Sequence, residues 1–152
     1  LFRSPGKVGS SSFEIFIGIE ESCTEGKAVV DGSMGYLGIP SSPIHLHFSQ
    51  GRLVEIEENR SGRYLKRYME GFDDPRIYVA GEFGIGLNTL SQCLGNCYIE
   101  DESTFSTFHI GMGRNLALGG IQDAAGHFDL VFHRPTIYAD QTLIMENGIP
   151  VV

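Results

Sequence analysis

The sequence predicts an α+β fold, mostly antiparallel sheet, with one clear helix near residues 61–70. Three observations carry that expectation. Glycine supplies 20 of the 152 residues, roughly double the usual ~7% share, and it punctuates short segments rather than long helices. Several segments alternate apolar and polar side chains with the period of two that a half-buried strand needs. Only one stretch carries an apolar stripe at helical spacing.

Taken in order, "FEIFIGI" places Phe13, Ile15, Ile17 and Ile19 on one strand face. "AVVDGSMGYLG" adds a short β segment that turns at Asp31-Gly32. "PIHLHFSQGRLVEIEE" reads as a hairpin: Ile44, Leu46 and Phe48 alternate with His45 and His47, Gln50-Gly51 turns, and Leu53 to Glu57 returns. In "SGRYLKRYMEGF", Tyr64, Leu65, Tyr68 and Met69 form the helical stripe, with Ser61 as N-cap and Gly71 as the stop. "DDPRIYVAGEFGIG", "TFSTFHIGMG" and "HFDLVFH" resume extended structure, and "QTLIMENGIPVV" closes in a hairpin about Asn147-Gly148. No repeat, low-complexity tract or linker interrupts the pattern, so residues 1–152 read as a single domain. Because "LFRSPGKVGSSS" begins at Leu1 and resembles the interior of a longer chain, that domain is expected to be the C-terminal, metal-site part of a larger two-domain protein.

Charge narrows the partners. With 19 acidic against 11 basic residues and a formal charge of −8, the surface suits neither nucleic acid nor an anionic membrane. No apolar run approaches the ~20 residues that span a bilayer, and a cytoplasmic location is expected. Cys23, Cys93 and Cys97 make an odd count, too few for a closed four-ligand zinc site, and read as reduced thiols.

Chemistry concentrates in three places. "GHFDLVFHR" puts His127, Asp129 and His133 on one strand face and Phe128, Leu130 and Phe132 on the other. Glu82 sits in "AGEFGIGLN" and His109 in "STFHIGMGRN", where an uncompensated buried carboxylate would be costly. One metal ion would compensate all of them, since carboxylate and neutral imidazole are usual ligands. Singly, each is an ordinary hydrogen-bonded strand residue. His45 and His47 belong to the polar face of a hairpin, and "IEDESTF" reads as a solvated acidic turn without calcium-loop spacing. No phosphate-cradling Gly-Lys-Ser/Thr and no G-x-S-x-G elbow is present.

Three stretches together, "GEFGIGLN", "EDESTFSTFHIGMGRN" and "GHFDLVFHRPTIYADQTLIMENG", resemble the carboxy-terminal part of the thermophilic metalloaminopeptidases of the aminopeptidase T or leucyl aminopeptidase type. The related 2,5-dihydroxypyridine 5,6-dioxygenases share that fold. The likeness is strong from Gly81 onward and weaker upstream. It implies a divalent-metal site built from Glu82, His109, His127 and Asp129, with Glu82 and His109 also the catalytic candidates. His133 and Arg134, just beyond the ligand pair, are the substrate-binding candidates. The resemblance further implies a homodimer whose missing N-terminal region forms part of the substrate cleft.

Two departures stand against two-metal peptide hydrolysis. "SPGKVGSSS" puts Lys7 where the peptidases carry a first Glu, and Leu116 stands where they carry a Tyr. An ammonium at position 7 would repel a second cation. Three readings follow. The first, placed there on overall resemblance, is an aminopeptidase, a hydrolase that removes amino-terminal residues from peptides with Zn, Co or Mn. The second is a mononuclear Fe(II) ring-cleaving dioxygenase acting on a hydroxylated pyridine or aromatic. The third is a catalytically inactive relic of the fold.

Overall fold

Alternation of side chains turns five short segments into one sheet with two unlike faces. The computed structural model describes residues 8–10 and 14–151. Strands run β1 (Val8–Ser10), β2 (Glu14–Gly18), β3 (Gly26–Val30), β4 (Ile44–Ser49) and β5 (Arg52–Ile56), followed by helix α1 (Arg60–Glu70). Then come β6 (Ala80–Gly86), helix α2 (Tyr98–Ser103), β7 (Thr107–Gly113), β8 (His127–His133), β9 (Ile137–Ala139), β10 (Thr142–Glu146) and β11 (Ile149–Pro150). The main sheet has the order β1-β2-β6-β7-β8, and its neighbours pair antiparallel. Two smaller sheets, β3-β4-β5 and β11-β10-β9, complete the architecture. The expected α+β class, dominated by antiparallel sheet, is what forms.

Register sorts the residues of the main sheet. Residues paired directly across antiparallel strands share a face, so the pairs Phe108↔Phe132, Ile110↔Leu130 and Met112↔Phe128 lie together on one side. That apolar side joins Ile44, Leu46 and Phe48 of the second sheet and Leu65 and Met69 of α1 in a single core. Tyr68 meets Phe128 edge-on with ring centroids 5.3 Å apart, and Phe108 stacks on Phe132 at 4.5 Å. Each such side chain contributes roughly 1.5–3 kcal/mol by leaving water, which holds the sheet rigid beneath its other, polar face.

Local expectations held in part. The turns at Gln50-Gly51 and Asn147-Gly148 both have positive φ at their two central residues, the backbone that two-residue hairpins demand. Helix α1 forms where the stripe placed it, but Asn59 caps it, its side chain accepting from Gly62 N–H at 2.8 Å. Ser61 instead lies buried in the first turn, and its Oγ accepts from Ser41 N–H at 2.9 Å. Both residue types can cap; the chain uses the earlier one. "IEDESTF" is not a solvated turn. It forms most of α2, which rests on β6, β7 and β8, with Asp101 and Glu102 buried. Asp101 Oδ1 accepts from the N–H groups of Leu94 and Gly95, each at 2.9 Å, which explains how an acidic side chain tolerates burial there.

Candidate metal centre

The polar face of the main sheet brings four sequence candidates together. Glu82 on β6 pairs with Gly111 on β7, which pairs with Asp129 on β8. His109 and His127 lie one pleat away in opposite directions, opposite Gly84 and Gly113. His127 Nε2 lies 3.2 Å from Glu82 Oε2 and 3.3 Å from Asp129 Oδ2. His109 Nε2 lies 3.9 Å from Glu82 Oε1. Ligand-type atoms of Glu82, His127 and Asp129 all fall within 4.8 Å of one another, close to the spacing that bonds of ~2.1 Å to a shared ion require.

Glycine makes the room. A Cβ at Gly111 would lie 2.6 Å from Glu82 Cβ, 2.8 Å from His127 Cε1 and 2.9 Å from Asp129 Oδ1. Three functional side chains therefore lean over one missing side chain. The signal for this was in the sequence: Glu82-x-Gly84-x-Gly86 and His109-x-Gly111-x-Gly113 repeat the strand period, so the glycines fall on the functional face.

His127 is held in one orientation. Its Nδ1 lies 2.8 Å from the carbonyl oxygen of Arg114; a carbonyl only accepts, so Nδ1–H donates and Nε2 faces the carboxylates, where a metal ion would take the place of its proton. Metal-binding imidazoles are generally oriented by such an outer hydrogen bond. The loop after β7 that supplies this carbonyl is pinned in turn. Asn115 Nδ2 donates to Glu21 Oε1 at 3.0 Å, and Ile121 N–H donates to the same oxygen at 2.8 Å.

Sequence reasoning missed three members of the site. Glu14 on β2 brings Oε2 to 3.9 Å from His109 Nε2, so a carboxylate reaches His109 from a strand outside the resemblance motifs. Tyr98, at the start of α2, donates its hydroxyl to Asp129 Oδ2. Glu102, from the same helix, is buried beside the cluster. Lys7 lies outside the described residues. Leu116 sits in a short 3-10 turn, partly exposed.

Electrostatics follow from crowding acids and imidazoles in a dry place. Burial alone would raise Glu82 and Asp129, but hydrogen bonds and charge from the imidazoles outweigh it and hold both below the ordinary carboxylate range. Burial disfavours charged imidazole, yet the surrounding carboxylates win, lifting His109 to about 9 and His127 to about 11. Glu102 lacks an imidazole partner at hydrogen-bonding range. Burial, reinforced by Asp129, pushes it up to about 8. The protons that balance these carboxylates on His109 and His127 are what a divalent cation would displace. Asp129 Oδ1 and His109 Nδ1 are buried without a hydrogen-bond partner among the described residues. The donor set and its orientation fit a divalent ion.

The substrate-binding candidates stand elsewhere. His133 shares the face of Asp129 but lies four residues along β8, about 13 Å at strand rise, and its Nδ1 is 3.5 Å from Asp31 Oδ1. Arg134 leaves the strand with φ 48° and is exposed. The cleft that opens onto the cluster, about 230 Å³, is lined by Glu82, Arg114, Asn115, Ala117, Leu118 and His127. A larger cavity, about 640 Å³, lies over α1 beside Arg60, Arg63 and Arg67 and contains no member of the cluster.

Comparison with known proteins identifies the family. The family model described as NicX, 2,5-dihydroxypyridine 5,6-dioxygenase, matches residues 15–152. The 2,5-dihydroxypyridine 5,6-dioxygenase of Pseudomonas putida KT2440 is 25% identical over 148 residues, an alignment covering 88% of this chain and 41% of that protein. The solved 2,5-dihydroxypyridine dioxygenase structure from the same organism is similar with a TM-score of 0.82 at 24% identity, covering 91% of this chain and 43% of that one. The chain thus spans about two fifths of the length of these relatives. These matches overturn the aminopeptidase reading and the metallopeptidase and hydrolase classes that came with it. The error has a physical origin: Gly-Glu, His-Ile-x-x-Gly and His-x-Asp specify a strand face with the donor groups of a metal site, and such a face does not specify whether water or dioxygen would be the co-reactant.

Proposed function

The chain belongs to the 2,5-dihydroxypyridine 5,6-dioxygenase family, and we propose that it forms the metal-binding part of an oxygenase that opens a hydroxylated pyridine or related aromatic ring. In this reading His109, His127 and Asp129 hold one divalent ion, Fe(II), with Glu82 as a fourth ligand or a hydrogen-bond acceptor beside it. Two imidazoles and one carboxylate leave coordination positions for a chelating substrate and O₂. When bound, the iron supplies the redox chemistry that O₂ needs to react with a closed-shell ring.

The remaining work falls to side chains of the cleft. Ala117 and Leu118 give an aromatic ring an apolar wall. Arg114, at the same cleft, offers a guanidinium to an ionised ring oxygen; the substrate-binding candidate the sequence singled out was Arg134. Glu102 is buried beside the cluster rather than in the cleft, and in the metal-free site burial with the nearby Asp129 charge opposes its ionisation. The observation that carries the reading is the convergence of Glu82, His127 and Asp129 over Gly111, with His109 Nε2 3.9 Å from Glu82, in a chain matched almost throughout by a dioxygenase family model.

The test is oxygen consumption. The protein carrying this chain, purified without oxygen and loaded with Fe(II), is mixed with 2,5-dihydroxypyridine and with dihydroxybenzenes. One O₂ consumed per molecule of substrate, with a ring-opened product that has gained both oxygen atoms, supports the reading. Iron-loaded protein that consumes no O₂ with any of these substrates overturns it.

A further inference from the structure

Two segments far apart in sequence close on one carboxylate. Tyr98 opens α2 and donates its hydroxyl to Asp129 Oδ2. The ring of Tyr36 lies flat on the ring of Tyr98, centroids 4.7 Å apart and planes 17° from parallel. Tyr36 belongs to a turn fixed against β8, because Met34 bridges Leu130 and the Gly35 backbone packs close to that of Asp129. Helix α2 is fixed as well: Asp101 accepts from the N–H groups of Leu94 and Gly95, and Ser103 C=O accepts from Asn88 N–H at 2.9 Å. The phenol is therefore held from both sides before any ligand arrives.

We propose that Tyr98 is a positioning residue, clamped by Tyr36, that fixes the rotation of the Asp129 carboxylate and leaves its second oxygen to ligate the metal. Oδ2 accepts from the phenol and lies 3.3 Å from His127 Nε2, whereas Oδ1 is buried above Gly111 with no hydrogen-bond partner among the described residues. A carboxylate with one oxygen tied binds an ion through the other, in one direction, without the entropy of a freely rotating group. A phenol suits the task because its apolar ring tolerates burial while its hydroxyl satisfies an acceptor. Tyr36 is 67% exposed, so it acts on the site only through the ring it covers. The inference rests on Asp129 being a ligand in the proposed oxygenase.

The experiment is a metal titration. Co(II) and Fe(II) are titrated into the protein carrying this chain, in its unaltered form and as Y98F, against a chelator of known affinity. The visible spectrum of bound Co(II) is recorded alongside. Loss of an outer-sphere partner typically weakens metal binding about 10–100-fold, and that loss, with a changed Co(II) spectrum, is the expected result. Weaker folding alone would lower the melting temperature and leave the spectrum of bound Co(II) as it was. Equal affinity and an unchanged spectrum in Y98F, with the unaltered protein binding Co(II), overturns the role of Tyr98 and leaves the oxygenase reading standing. An unaltered protein that binds neither ion more tightly than D129A overturns both. Should Y98F fail to fold, Y36L keeps the phenol and removes its clamp; several-fold weaker binding supports the proposal, and no change overturns it.

Discussion

Gly84 stands opposite His109 across the β6–β7 pair, so close that a Cβ at position 84 would lie 1.9 Å from His109 Nε2. The imidazole occupies the volume that any other residue at 84 would claim. Gly84→Ala must therefore displace the ring or the strands. Overpacking of this kind costs about 1–3 kcal/mol, and the displaced group is a candidate ligand. The expected outcome is a modest fall in melting temperature with a disproportionate loss of metal affinity. Calorimetry and metal titration on the same variant check it; a fall in stability with full metal affinity would show that the imidazole is not held by this contact.

The sequence made half of this site readable. Strand alternation alone put His127 and Asp129 on one face, Glu82 and His109 stood out as polar residues among apolar side chains and glycines, and the resemblance joined the four in one site. Nothing in the composition could reveal register, which alone sets Gly84 against His109 and Gly111 between Glu82 and Asp129. Alternation also grouped His133 with the pair, because a period of two says which face a residue takes and not how far along the strand it lies. Tyr98 and Glu102 escaped for another reason. A six-residue helix is too short to show an amphipathic stripe, so its acids read as surface until the fold laid it over the sheet.

Titration of the metal-free site gives the protein a characteristic pH profile. His109 and His127, raised to about 9 and about 11, lie above the unfolded value near 6.5. Their contribution is fully present below that value and is lost as pH rises through 9 to 11. Glu102, raised to about 8, adds to the decline, since the folded state resists its ionisation from about pH 4.5 upward. Glu82 and Asp129 are depressed, so their contribution is present above about pH 4 and falls away in acid. Urea midpoints of chelator-treated protein should peak near pH 5 and decline to pH 10. His127→Asn should flatten the alkaline part of that decline.

Arg114 and Arg134 separate by position. Arg114 lines the cleft beside Glu82 and His127, and its exposed guanidinium pairs with Asp123 at 3.2 Å; Arg134 follows β8 at its far end. If Arg114 holds an ionised ring oxygen, Arg114→Ala should raise KM about tenfold or more, in line with a lost charge-assisted hydrogen bond, with kcat changed less. Arg134→Ala should leave both constants within a factor of two or so. Steady-state kinetics of the two variants, run with the same iron loading, compare them. Equal effects would place the substrate elsewhere.

Glu102 offers the sharpest separation of charge from packing. Its Oε2 is buried without a hydrogen-bond partner among the described residues, and burial with the nearby Asp129 charge opposes its ionisation. Glu102→Gln keeps nearly the same shape and can never ionise. At pH 5, where the native carboxyl is already neutral, the variant and the unaltered protein should unfold at similar urea concentrations. At pH 9 the unaltered chain must carry an extra buried anion, and the variant should be more stable by ~1 kcal/mol or more, the scale of an unsatisfied buried group. Metal reverses the comparison: a bound cation offsets the charge of Glu102, so in the loaded protein the advantage of glutamine at pH 9 should shrink or vanish. Chemical unfolding at both pH values, with and without Co(II), gives the four numbers needed. A variant that gains equally with and without the ion would place Glu102 beyond the electrostatic reach of the metal.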